Sequence, residues 1–135
     1  MLELKPLAQW KREDLAAAKV VDALKKHGLL DKTDIISFSI NACMAFKKLA
    51  PEVPVYYLDS DLPPRKLAYL QLAGLDYNGA TLKAHPEWVE DAHRRGLKVN
   101  VWTIDKPEDM RLFRDMGVDF ITTNQPELLQ RILAE

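Results

Sequence analysis

The sequence predicts a parallel α/β fold. Helical and strand-like segments alternate along the chain, which indicates a parallel sheet covered by helices. Glycines followed by an apolar residue recur where helices are expected to end, at Gly28, Gly74, Gly96 and Gly117. The chain has 135 residues. That length fits an open doubly wound sheet of flavodoxin-like type or, since a whole (β/α)8 barrel takes about 250 residues, part of such a barrel.

The composition indicates one globular domain over residues 1–135, with 47% hydrophobic and 29% charged residues. The 19 basic and 20 acidic residues nearly cancel, so no basic field favours nucleic acid as a partner. No apolar run approaches the roughly 20 residues of a transmembrane helix. The single cysteine, Cys43, excludes a disulfide within the chain and is predicted to be a small buried side chain.

The first half of the chain predicts three strands and two helices. Leu2–Lys5 reads as a short opening strand, and residues 12–27 carry an i, i+3, i+4, i+7 apolar stripe typical of a helix with one buried face. Gly28, after a basic last turn, ends that helix. The segments that follow are predicted as a strand, a helix and a strand, over Asp34–Ser39, Asn41–Ala50 and Val55–Leu58.

The second half predicts three more strands and four helices. Two helices are predicted over Pro64–Ala73 and Pro86–Arg95, a third starts at 105–108 and ends at Gly117, and the last starts at 124–127. The strands are predicted over Tyr77–Leu82, Lys98–Ile104 and Phe120–Thr123. Asp105 and Asn124 are predicted to cap the last two helices, because each precedes a proline by two residues and a glutamate by three.

Polar residues at the carboxyl ends of the strands are the candidates for a site, because parallel α/β proteins bind ligands there. Glu3 and Lys5 lie on one side of their strand, where they form either a functional pair or an ordinary surface ion pair. Trp102 shares a strand face with Asn100, and it either fills the core or stacks on a substrate. Phe38 presents the same alternative.

Other catalytic signatures are absent from the sequence. None of His27, His85 and His93 has a partner at metal-ligand spacing, so each is predicted to be structural or on the surface. The sequence has no phosphate loop, GxSxG elbow or GxGxxG turn. The residues by themselves therefore indicate a polar site around Glu3, Lys5 and Trp102 without indicating a reaction.

A longer pattern gives the sequence a resemblance to a known family. Residues 88–126 contain WVEDAHRRGLKVNVWTID and GVDFITTNQP. This resembles the C-terminal signature of the glycerophosphodiester phosphodiesterase family, in which a Val-x-Val-Trp-Thr strand is followed by Gly-Val-Asp and a last strand ending in Thr-Asp-x-Pro. DIISFS resembles the family's strand ending in Ser-Phe, and LELK its Ile-Glu-Ile-Lys strand. Asn124 departs from the family's aspartate, and we expect it still to cap.

The resemblance implies a (β/α)8 barrel of which this chain holds about six βα units. It also implies metal-assisted hydrolysis of a glycerophosphodiester to glycerol 3-phosphate and an alcohol. By the same resemblance Glu3 is a ligand of the divalent cation, Mg²⁺ or Ca²⁺, and Lys5 offsets phosphate charge. Phe38 and Trp102 correspond to aromatic residues that line the substrate pocket.

Part of the family pattern has no counterpart in this sequence. The family's two catalytic histidines lie in a His-Arg motif on the first strand and a His-Asp motif after the second, and neither motif occurs here. We therefore expect the chain to be the C-terminal portion of such a barrel and inactive alone. Its open edges would be covered by a second copy or by an N-terminal segment. The alternative is a non-catalytic partial barrel that serves in binding or assembly.

Overall fold

The computed structural model describes all 135 residues and contains one parallel sheet of six strands. The strands are β1 (Leu2–Glu3), β2 (Ile35–Ser37), β3 (Val55–Tyr57), β4 (Gly74–Asn78), β5 (Lys98–Trp102) and β6 (Phe120–Ile121). Each strand pairs with the next in chain order. A doubly wound sheet would reverse its strand order at a switch point, so this sequential order shows the half-barrel and excludes the flavodoxin-like alternative.

Seven helices connect and follow the strands. They are α1 (Trp10–Lys26), α2 (Ile40–Leu49), α3 (Pro64–Tyr69), α4 (Gly79–Ala84), α5 (Glu87–Arg94), α6 (Pro107–Met116) and α7 (Pro126–Leu133). Right-handed crossovers between sequential parallel strands place the helices on one face of the sheet. None of these helices has the combination of length and apolar content that crossing a bilayer requires.

The core lies between the sheet and its helices. Leu75 and Tyr77 of β4, and Val99 and Val101 of β5, are fully buried in the helix-side cluster. Side chains alternate along a strand, so the residues between them face the concave side of the half-barrel. Cys43 of α2 is also fully buried, as predicted, and burial raises the pKa of its thiol to about 12. The thiol is therefore protonated and inert at neutral pH.

The predicted strand at Tyr77–Leu82 is wrong in its position. The strand begins at Gly74, and residues 79–84 form α4 instead. Gly74 was predicted to end a helix, whereas it begins β4, where a Cβ atom would sit 2.0 Å from the backbone oxygen of Lys98. The left-handed residue after α3 is Gln71, with φ of 57°. The requirement for glycine at position 74 therefore comes from the close approach of β4 and β5, which is a tertiary constraint.

The predicted helix caps at Asp105 and Asn124 are also wrong. Lys106 and Gln125 occupy the N-cap positions of α6 and α7, without side-chain capping bonds. Asp105 instead accepts hydrogen bonds from the backbone N–H of Asn124 at 2.7 Å and from its side-chain amide at 2.9 Å. The two polar residues thus tie the loop after β5 to the loop after β6.

The sheet curls but does not close. β1 and β6 each pair on one side only, and they do not pair with each other. Met1 nevertheless reaches across the concave face, where its sulfur lies 4.0 Å from Nδ2 of Asn100 on β5. The half-barrel therefore encloses a concave space that is lined from both of its edges.

Candidate functional site

A cavity of about 330 Å³ lies on the concave side, at the carboxyl ends of the strands; we call it the concave pocket. Its walls include Glu3, Ile36, Phe38, Leu58, Asp76 and Trp102. Met1 and the two threonines at positions 103 and 122 complete the lining. Most of these residues end a strand or directly follow one. The pocket thus forms where the parallel topology brings separate strand ends together.

Glu3 and Lys5 adopt the arrangement that their spacing predicts. The Lys5 ammonium donates to the Glu3 carboxylate at 3.2 Å, while the two side chains are 81% and 30% exposed. Glu3 lines the concave pocket, whereas Lys5 lies outside its lining. An ion pair this exposed contributes little to stability. The pair therefore leaves both charges available at the mouth of the pocket.

Phe38 and Trp102 form an aromatic wall of the concave pocket. Their ring centroids are 5.8 Å apart in an edge-to-face arrangement with an interplanar angle of 76°. The indole N–H of Trp102 donates to the backbone oxygen of Asp76 at 2.7 Å. Because that bond satisfies the polar edge of the indole, its ring is held in place as an apolar surface. The structure places both predicted residues in the pocket, and their role toward a substrate stays a prediction.

Asp76 is a pocket residue that the sequence analysis missed. It lies in the middle of β4, is only 2% exposed, and its Oδ1 has no hydrogen-bond partner. Burial raises the pKa of Asp76 to about 6, the neighbouring Asn100 amide lowers it, and the charge of Glu3 raises it further. The sequence analysis missed Asp76 because the predicted strand, Tyr77–Leu82, begins after it. A period-2 pattern starting at Gly74 would have set Asp76 beside Asn100, its register partner.

A second missed residue, Glu13 of α1, organises the loop after β1. Its Oε1 accepts from the backbone N–H of Leu7 at 3.0 Å, and its Oε2 accepts from Ser39 Oγ at 2.8 Å and Asn41 Nδ2 at 2.9 Å. Burial pushes the pKa of Glu13 up, but these three hydrogen bonds outweigh it and the net pKa is lowered. Glu13 thereby fixes the segment beyond Lys5 against the start of α2.

The three histidines lie outside the concave pocket. His27 follows α1, and His85 follows α4 and stacks on Trp88 at a centroid distance of 4.3 Å. Nε2 of His93, on α5, lies within hydrogen-bond distance of the Asp119 carboxylate, at 2.8 Å. The same carboxylate accepts a hydrogen bond from the backbone N–H of Val99. All three side chains are exposed, and the contacts of His85 and His93 are with residues outside the pocket.

The pocket supplies part of what a divalent cation requires. Mg²⁺ and Ca²⁺ bind carboxylate and carbonyl oxygens, and both Glu3 and the unpaired Asp76 present carboxylates to the pocket. No group of three histidine, cysteine, aspartate or glutamate side chains lies close enough to hold a metal ion. The donor chemistry therefore fits a hard cation, while the number of ligands from this chain falls short of a full coordination shell.

The sequence matches the family model described as the glycerophosphoryl diester phosphodiesterase family over residues 3–128. A glycerophosphodiester phosphodiesterase of Caldanaerobacter subterraneus subsp. tengcongensis is 30% identical over 113 residues, which make up 82% of this chain and 46% of the relative. The residues that the family model matches run from the end of β1 into α7.

Solved structures of phosphodiesterases are also similar to this chain. A glycerophosphodiester phosphodiesterase from Parabacteroides distasonis matches with a TM-score of 0.96 and 44% identity, over 98% of this chain and 56% of that one. An Oleispira antarctica phosphodiesterase, solved in complex with the product sn-glycerol-3-phosphate, matches with a TM-score of 0.84 and 27% identity, over 99% and 54% of the two chains. The chain spans about half the length of the proteins that it resembles.

Proposed function

The chain belongs to the glycerophosphodiester phosphodiesterase family, and on that premise we propose that it supplies one part of a site that hydrolyses glycerophosphodiesters. The products would be glycerol 3-phosphate and an alcohol. Water adds to phosphorus, the bond from phosphorus to the alcohol oxygen breaks, and the alcohol leaves with a proton. The substrate is thus a small molecule that carries one phosphodiester.

One observation carries the proposal. Glu3 and Trp102 end β1 and β5, Phe38 directly follows β2, and all three line the concave pocket. They are the residues that the family pattern assigns to metal and substrate, and the pattern by itself does not require them to meet. Binding sites of α/β barrels are typically built in this way, from residues that are far apart in sequence and meet at one cavity at the strand ends.

Each of these residues has a proposed role. Glu3 would hold a divalent cation, Mg²⁺ or Ca²⁺, together with acidic ligands from outside this chain. When bound, that cation would offset charge that develops on the phosphoryl oxygens. Lys5, next to Glu3 and exposed, would neutralise the remaining phosphate charge. Phe38 and Trp102 would exclude water from one side of the substrate.

We propose that these 135 residues are inactive alone. The family's two proton-transfer histidines have no counterpart in the sequence, and the three histidines present lie outside the concave pocket. Calorimetry with Mg²⁺ or Ca²⁺ should show little heat on the isolated chain, because one or two carboxylates bind such ions weakly. Tight binding would contradict the proposed division of the metal site.

The decisive experiment joins this chain to the N-terminal part of a relative. The Parabacteroides distasonis protein is the partner of choice, because its fold matches at a TM-score of 0.96 and 44% identity. The product to assay is glycerol 3-phosphate released from a glycerophosphodiester in the presence of Mg²⁺ or Ca²⁺. The isolated chain should release none, and the folded fusion protein should release it.

Variants of the fusion protein test the role of this chain within it. Glu3→Gln keeps the size of the side chain but removes its charge, and it should lower kcat/KM by at least about 100-fold, because metal assistance contributes several kcal/mol. Glu90→Gln, on the exposed face of α5, is the matched control and should leave activity unchanged. Full activity of the Glu3→Gln protein would refute the proposed ligand.

A further inference from the structure

The roles proposed for Glu3, Lys5, Phe38 and Trp102 leave a second, buried carboxylate of the concave pocket without a stated role. Asp76 is 2% exposed, and its Oδ1 has no hydrogen-bond partner in the protein. An unsatisfied buried acceptor of this kind lowers the stability of the folded protein. Asn100, its register neighbour, donates its side-chain amide to Thr122 at 3.1 Å. No protein group donates to Oδ1 of Asp76, so its donor is either a water molecule or a ligand in the pocket.

The rest of the pocket indicates which kind of donor this is. Its lining includes no lysine, arginine or histidine, and it carries two carboxylates, those of Glu3 and Asp76. These side chains therefore repel an anionic group wherever a bound cation or Lys5 does not offset its charge. Beside Asp76 stands the aromatic wall of Phe38 and Trp102, whose indole N–H is already bonded to the Asp76 backbone. An aromatic surface next to an acceptor suits a ligand with both C–H and O–H groups.

We propose that Asp76 is a substrate-recognition residue whose carboxylate accepts a hydrogen bond from a hydroxyl of a neutral polyol. This inference rests on the proposed function and deepens it. Lys5 lies at the mouth of the pocket and Asp76 lies within it. A glycerophosphodiester is thereby oriented with its phosphate toward Lys5 and with its glycerol hydroxyls toward Asp76 and Trp102.

The three tryptophans make the inference testable on the isolated chain. Each indole N–H gives its own ¹⁵N–¹H signal, and only that of Trp102 is bonded to residue 76. Glycerol titrated into the chain should shift the Trp102 signal saturably. The signals of Trp10 and Trp88 should stay in place, because neither residue lines the concave pocket. 1-Propanol, which has the same carbon skeleton with one hydroxyl, should not saturate the Trp102 signal at the same concentrations.

Variants at position 76 identify the acceptor. Asp76→Leu should weaken the glycerol response at least about tenfold, since a hydrogen bond to a charged acceptor contributes enough for that factor. Asp76→Asn, which keeps a carbonyl oxygen but loses the charge, should weaken it less. Asp22→Asn, on the exposed face of α1, is the control and should respond like the parent chain. Unchanged Trp10 and Trp88 signals show that a variant is folded.

Three results would overturn the inference. The first is a Trp102 signal that does not respond to glycerol in the parent chain, and the second is an undiminished response in Asp76→Leu. The third is a response to MgCl₂ that depends on Asp76 while glycerol has no effect, since this would make Asp76 a cation ligand. None of these results bears on whether the fusion protein hydrolyses a glycerophosphodiester, so the two proposals fail separately.

Discussion

Asp76 shows how one buried side chain joins stability to function. One of its carboxylate oxygens, Oδ1, has no partner within the chain, and burial raises the pKa of Asp76 from 3.8 to about 6. At neutral pH the folded chain therefore holds an anion where a neutral group would be more stable. Proteins tolerate such penalties mainly at sites that bind or react. The recognition role proposed for Asp76 gives this penalty a physical reason.

Asp76→Asn is expected to raise the free energy of unfolding by up to about 3 kcal/mol at pH 7.5, which is the penalty that the raised pKa implies. For a carboxyl with a raised folded pKa, stability falls as pH rises from about 4 to 6. The difference in the free energy of unfolding between the variant and the parent should therefore shrink as pH falls from about 6 to 4, and it should vanish below that range. Urea unfolding of both proteins at pH 3.5, 5 and 7.5 measures it. An advantage independent of pH would contradict the assignment.

Gly74 illustrates a residue whose identity is set by a neighbouring strand. Gly74→Ala should destabilise the chain by about 3 kcal/mol, because the added Cβ meets the backbone oxygen of Lys98, which cannot yield without breaking the ladder between β4 and β5. Gly28→Ala is the comparison, since nothing lies within 4 Å and only its φ of 64° is unfavourable. That change should cost about 1 kcal/mol. Equal losses in thermal denaturation would refute the steric explanation.

At the scale of elements, Glu13 joins α1, the loop after β1 and the start of α2. Its carboxylate accepts from Leu7, Ser39 and Asn41, and it lies between two helices that pack closely. The segment it holds follows Lys5 directly. Glu13 therefore positions the mouth of the concave pocket without lining it.

Glu13→Ala should lower the free energy of unfolding by about 2–3 kcal/mol, because three donors lose their acceptor. The pKa of Glu13 is lowered on folding, so its contribution is present above its ordinary value of 4.5 and is lost as pH falls through the folded value. The difference in the free energy of unfolding between Glu13→Ala and the parent chain should accordingly become smaller as pH falls below 4.5. Glu90→Ala, on the exposed face of α5, is the matched control and should change stability by less than about 0.5 kcal/mol. A constant difference down to pH 3 would contradict the charge-based explanation.

At the scale of the whole molecule, the open sheet is the dominant feature. β1 and β6 leave unpaired backbone groups at both ends of the half-barrel. Phe120 of β6 remains 40% exposed and Met1 59% exposed on the concave side. Parallel edges and apolar side chains of this kind favour association with another chain or with a further segment of a longer one.

We expect the isolated chain to associate as its concentration rises, and sedimentation equilibrium measures this. Phe120→Glu places a charge at the β6 edge and should weaken the association at least about tenfold with little loss of stability, because its side chain is largely outside the core. Tyr69→Glu, on α3 and 79% exposed, is the control and should have no effect. A strictly monomeric parent chain at millimolar concentration would contradict this prediction.

The sequence by itself determined the α/β class of the fold, the alternation of helices and strands outside β4 and α4, and most of the strand ends that carry the site. Those features are written in local periodicity and in the alternation of side chains, which Leu2–Lys5 and Lys98–Ile104 display clearly. A family pattern added that Glu3, Lys5, Phe38 and Trp102 belong together. It left open whether their side chains meet.

Only the tertiary structure decided the position of β4, the partners of Asp105 and Asn124, and the burial of Asp76 and Glu13. Each depends on a neighbour distant in sequence: Gly74 on the backbone of Lys98, Asp105 on Asn124, and Glu13 on Leu7 and Ser39. Local preferences are worth fractions of a kcal/mol per residue, whereas a steric clash or an unsatisfied buried group is worth several. The larger, non-local interactions therefore decide where these residues lie. These interactions cannot be read from the sequence, because they form only when the strands pair.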